Sequence, residues 1–176
     1  MRLAVCVLAV GFLAPALGSG QSAQSASVAG PLVGTWRLLR FEDVENGQTI
    51  HRYGERPIGL FIYTADGHVA IQIANPANPA CAAPLPAVFA SNARMKAETT
   101  LPECTPEQLR KRLDGYVAYW GTYSVDAAAS VVIHHVESDL KGGYVGTDQR
   151  RPFTVDGDRL VIGDGKTWTR VLERVR

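Results

Sequence analysis

The chain has little sulfur and no dominant charge. Of its 176 residues only three are cysteine and two are methionine. The 18 basic residues are nearly balanced by 17 acidic ones, with no basic stripe and no charged tail. Without a concentrated cationic face there is no electrostatic footprint for nucleic acid. Catalytic signatures are absent too: no GxSxG elbow, no P-loop, no GxGxxG, no HExxH and no EF-hand loop occur. Serine hydrolysis through such an elbow, nucleotide binding and calcium binding therefore have no support. Neither cysteine pair spacing nor histidine clustering supplies a metal set, and no cofactor is called for. Internal repeats are also lacking.

One long apolar run exists, and it stands at the start. Leu3 to Leu17 follows Arg2 and covers 15 residues. As a helix it would rise about 22 Å, short of a hydrocarbon core of roughly 30 Å. Small residues follow, with Ala16-Leu17-Gly18 fitting a small-x-small cleavage rule and further sites near Ala23 and Ala26. The expectation is a secretory signal peptide over residues 1–23, a flexible leader over 24–31 and one domain over 32–176. The mature protein would be secreted or periplasmic, with no stable membrane span. Cys6 would leave with the signal. Cys81 and Cys104 would remain, an even number in an oxidising compartment, and are expected to form a disulfide. Such a bridge would close a loop of about 24 residues and contribute about 3 kcal/mol.

What the domain does have is strand signal. VGTWRLLRFEDV ends at Asn46-Gly47. IGLFIYTADGHVAIQIA folds back at Asp66-Gly67. YVAYWGTYSVD and SVVIHHVES follow, then YVGTDQRRPFTVD turns at Asp156-Gly157 into RLVIG, and Asp164-Gly165 leads to TWTRVLERV. Short two-periodic segments joined by Asn-Gly and Asp-Gly turns indicate an antiparallel sheet. About eight such strands favour closure into an all-β up-and-down barrel, which removes unpaired edges. The exception lies between Asn75 and Gly115, where six of the ten prolines fall, from Pro76 to Pro106. This is a helical insertion rather than a central strand. VFASNARMKAE predicts one short helix. A second is marked by Thr105 as cap, Pro106 at the first turn, Gln108 three residues after the cap and Gly115 as stop. An insertion of this length covers one barrel end, as a lid or as a plug.

Several residues stand out as candidates for a ligand site. In the strand His134-His135-Val136-Glu137, alternation sends His135 and Glu137 to one face and His134 and Val136 to the other. A histidine held by a carboxylate suits a general base or a shared ligand contact. Gln149 and Arg151 share parity with Val145, Phe153 and Val155, which looks like the apolar face. An inward arginine needs a partner, either Glu137 or a ligand carboxylate. Tyr119 and Tyr123 share a face with Gly121 between them, which would leave room beside two rings at a pocket wall.

The ordered set LVGTWRLLRFE, YGERPIGLFIYTADGHVAIQI, LDGYVAYWGTYSVD, VIHHVES, VGTDQRRPF and DGDRLVI resembles the lipocalin-like domain family of bacterial and fungal proteins, over about Leu32 to Arg176. The resemblance implies a calycin-like barrel with an interior cavity and does not imply a reaction. Gly34-Thr35-Trp36 is also similar to the G-x-W start of lipocalins. That likeness implies that Trp36 closes the barrel base beneath an arginine of the last strand, Arg170 or Arg174. Three functions follow as alternatives. The first is binding of a small, partly apolar ligand, with or without a carboxylate. The second is a cofactor-independent isomerase or cyclase using the His135–Glu137 pair. The third is a cell-envelope structural or interaction protein with a filled barrel.

Overall fold

The structure is a computed structural model that describes residues 30–78 and 104–176. β1 (Gly34–Glu45) turns through Asn46 and Gly47 into the short β2 (Gln48–Ile50). Both turn residues have positive φ, 52° and 74°, the backbone that a two-residue hairpin requires and that Asn-Gly supplies at low cost. β3 (Ile58–Tyr63) and β4 (His68–Ala74) form the next hairpin. Helix α1 (Pro106–Asp114) precedes β5 (Tyr116–Asp126), β6 (Val131–Asp139), β7 (Asp148–Asp156), β8 (Arg159–Gly163) and β9 (Trp168–Arg174).

The nine strands are antiparallel in the order β2-β1-β3-β4-β5-β6-β7-β8-β9, and β9 pairs back onto β1. Eight strands thus close a barrel, and β2 is an extra ribbon on β1. The closing seam runs from Trp36 opposite Arg174 to Asp43 opposite Trp168, with a bulge between Leu38 and Arg40. That bulge advances the inward face by one residue, so Trp36 and Leu38 point inward before it, and Phe41 and Asp43 after it. The expected closed up-and-down barrel is the observed fold.

The two ends differ. At one end lie the start of β1, the end of β9 and the β3–β4, β5–β6 and β7–β8 turns. Trp36 seals it, fully buried, its indole donating to the Leu32 carbonyl at 2.8 Å. The arginine over its ring is Arg174, 4.0 Å from the centroid, which donates to the carbonyls of Val33 and Pro31 at 2.8 Å each. At the other end lie the β1–β3 connection, the β4–β5 connection, the β6–β7 loop and the β8–β9 turn.

Among the described residues α1 is the single helix, and it carries the expected capping box. Thr105 Oγ1 accepts from the Gln108 N–H at 3.2 Å and Gln108 Oε1 from the Thr105 N–H at 2.9 Å. None of its residues is buried. No described helix is long and apolar enough to cross a membrane. The expected helix VFASNARMKAE, the signal segment and Cys81 lie outside the described residues.

Candidate functional site in the barrel interior

Alternation on β6 places Val132, His134 and Val136 inside and leaves Glu137 to water. His134 is 1% exposed, the one buried polar residue among those described. A desolvated imidazole must have both nitrogens satisfied, and two tyrosines do this. The Tyr63 hydroxyl lies 2.9 Å from Nε2, and the Tyr119 hydroxyl 2.8 Å from Nδ1. Tyr63 comes from the last position of β3 and Tyr119 from the middle of β5. Burial first, then the charge of Arg151 and then that of His135, push His134 down to about 3. It is therefore neutral, with one N–H and one bare nitrogen. Burial raises both tyrosines, Tyr119 to about 12, although Arg151 pulls Tyr119 the other way.

Above this chain the barrel holds a cavity of about 370 Å³, within the range of small-ligand sites. His134, Tyr119 and Arg151 form its polar floor, while Phe61, Ile71, Val117 and Ile162 line its sides. Arg151 donates to Gln149 Oε1 at 3.2 Å, and Gln149 donates to Thr147 at 2.7 Å. The Arg151 guanidinium lies 5.4 Å from the Trp168 ring. No carboxylate of the described residues forms an ion pair with it. The other two arginines lining the cavity are matched: Arg170 sits 3.2 Å over Phe41 and pairs with Asp43 at 2.8 Å, and Arg52 pairs with Glu45. Asp43 also accepts from Arg52 at 2.6 Å. Tyr53 packs edge-on against Phe41 at 4.6 Å, and Tyr144 edge-on against Tyr119 at 5.9 Å, narrowing the mouth.

The structure separates the candidates named from the sequence. Tyr119, Tyr123, Gln149 and Arg151 face inward. Tyr123 points toward the sealed end, where its hydroxyl donates to the Thr64 carbonyl at 2.9 Å, and it does not line the cavity. His135 and Glu137 are on the outer wall, which corrects their assignment to the pocket. His135 Nδ1 meets Asp148 Oδ1 at 2.7 Å and its Nε2 meets Ser124 Oγ at 2.9 Å, across three adjacent strands. The flanking β6 backbone is engaged in ladders on both sides. Glu137 cannot reach Arg151 through the sheet, and the His135–Glu137 proton-transfer reading falls with it.

The room expected beside Gly121 is also taken. A Cβ there would sit 2.0 Å from the His135 carbonyl oxygen and 2.9 Å from the Glu137 nitrogen. The glycine permits β6 to approach at the bulge between Trp120 and Gly121 rather than opening a pocket. The residues that alternation alone did not single out are His134, Tyr63, Trp168 and Arg170. The parity of His134 with Val132 and Val136, opposite Glu137, was the available signal.

A second hollow, about 620 Å³, runs along the outer wall past Ile58, Leu60, Gln72 and Tyr116. It is larger, yet it is an apolar surface groove without buried converging polar groups. The interior is the better ligand site because enclosure strengthens each polar contact.

A closed eight-stranded barrel, plugged at one end by a tryptophan under an arginine and hollow toward the other, defines a lipocalin-like barrel. A family model described as a lipocalin-like domain matches residues 33–173, and the chain belongs to that family. Neither a curated protein nor a solved structure matches it.

Proposed function

We propose that the protein binds a small, partly apolar, carboxylate-bearing molecule inside the barrel. The observation that carries this reading is Arg151. A cation half-buried in a barrel is costly unless an anion meets it, and the described residues offer it the Gln149 amide, the Tyr119 hydroxyl and the Trp168 ring but no carboxylate. A ligand carboxylate would complete it through paired hydrogen bonds. The apolar sides would take the remainder of the ligand. The hollow above His134 speaks against a filled structural barrel.

The same reading includes export. The signal over residues 1–23, a secreted or periplasmic location and the Cys81–Cys104 disulfide belong together, because the bridge needs an oxidising compartment. N-terminal sequencing of the exported protein should find a start between Ser19 and Ser27, and thiol titration under denaturing conditions should find no free cysteine.

Binding is tested by thermal shift against a library of hydrophobic carboxylates. A ligand at 100 times its Kd should stabilise by about 2.7 kcal/mol. A flat melting temperature across the whole library would contradict the proposal.

A further inference from the structure

We infer that the buried Tyr63–His134–Tyr119 chain has a fixed direction, which turns the Tyr119 O–H into the cavity as a donor beside Arg151. The site therefore selects a head group that only accepts hydrogen bonds. This rests on the binding reading above and deepens it.

The direction follows from counting protons. His134 is neutral and carries one N–H, on Nδ1 or on Nε2. Were it on Nε2, it would donate to the Tyr63 oxygen. The Tyr63 hydroxyl proton would then need another acceptor. Tyr63 is 1% exposed, and its hydroxyl makes no hydrogen bond other than the one to His134 among the described residues. The Tyr123 ring packs edge-on against Tyr63 at 5.2 Å, and the Tyr123 hydroxyl is committed to the Thr64 carbonyl. That arrangement strands a buried donor, which proteins avoid. With the proton on Nδ1, every group is used. Tyr63 donates to Nε2, and Nδ1–H donates to the Tyr119 oxygen. Arg151, facing the same oxygen, is itself a donor. With its oxygen already accepting, Tyr119 has its own proton left for the cavity it lines.

Two adjacent donors, one of them cationic, match the two oxygens of a carboxylate. A primary amide of the same shape sets an N–H against one of them, and a site whose polar groups are left unmatched discriminates strongly. Tyr63 is then a positioning residue. It does not line the cavity, yet it fixes which way Tyr119 points.

The experiment has two arms on the mature protein. In the first, long-range proton–nitrogen correlation spectra of the unliganded wild type read the His134 tautomer directly. A protonated Nδ1 and a bare Nε2 are expected, and a protonated Nε2 overturns the inference. In the second, calorimetric titration compares 1-naphthylacetate with 1-naphthylacetamide. The acid should bind at least about tenfold more tightly. In Tyr63→Phe the ratio should fall toward one while the cavity walls stay unchanged. Equal affinity for acid and amide in the wild type overturns the donor-only head site. If neither compound binds while the spectra show the Nδ1–H form, the binding proposal fails and the chain's direction stands.

Discussion

His134 is a proton sink that the fold keeps empty. Its pKa is lowered in the folded state, by burial first and by Arg151 second, from 6.5 to about 3. Above pH 6.5 the imidazole is neutral whether folded or unfolded, and it adds no pH dependence. Below 6.5 the unfolded chain takes a proton that the folded one refuses, so stability is lost as pH falls from 6.5 toward 3. The slope is about 1.4 kcal/mol per pH unit for one proton. Urea unfolding at about pH 7 and about pH 5 should therefore differ by about 2 kcal/mol, and the contribution should vanish in His134→Gln whatever that variant's absolute stability. A wild-type slope unchanged by the substitution would show that His134 is not the group.

Arg151 gives the opposite pairing of effects. Replacing it by methionine removes an unmatched half-buried cation while keeping volume. Unliganded Arg151→Met should be as stable as wild type or more stable, by about 1 kcal/mol. Its affinity for 1-naphthylacetate should drop by about thirtyfold or more. Denaturant melts and calorimetry on the same preparation check both. At this scale the sequence was partly legible. The inward parity of Gln149 and Arg151 could be read because Phe153 and Val155 mark their face. The adjacent pair His134 and His135 misled, because chemistry drew the eye to the residue near a carboxylate. Burial belongs to the other, which shares parity with Val132 and Val136.

Among the elements, the turns were the most readable and the bulges the least. Asp164 shows why turns can be read. Its carboxylate accepts from the Thr167 hydroxyl and from the backbone N–H groups of Lys166, Thr167 and Trp168, the latter at 2.8–3.1 Å, and the hydroxyl first, then these N–H groups, hold its pKa well below the carboxylate range. Such chemistry is local and needs only neighbours in sequence. A bulge depends on what the partner strand does, which no window of residues contains. Gly121 is the case in point. It reads as a gap between tyrosines and proves to be the seat of the β6 carbonyl. Gly121→Ala forces backbone apart and should cost about 1–3 kcal/mol in urea melts. An alanine tolerated without loss would mean that β5 and β6 are not held at this separation.

The Trp36 plug belongs to the same scale. Arg174→Ala removes two hydrogen bonds to carbonyls and the contact over the indole. The expected loss is about 2 kcal/mol, read from the denaturation midpoint, with the cavity at the far end unaffected.

For the whole molecule, closure is what gives the other features meaning. Paired to β9 along one edge and β3 along the other, β1 leaves the barrel no free edge, and side chains that would be half-wet on an open sheet become an enclosed wall. The strand count and the antiparallel order could be anticipated from turn spacing. That the interior is hollow could not, because hollowness is a sum over volumes contributed by eight strands.

The most direct measurement is a methyl-resolved titration with 1-naphthylacetate. A ligand seated inside shifts the methyls of Ile71, Val117 and Ile162 and leaves those of Ile58 and Leu60 on the outer groove in place. Shifts confined to Ile58 and Leu60, with the interior methyls silent, would contradict it.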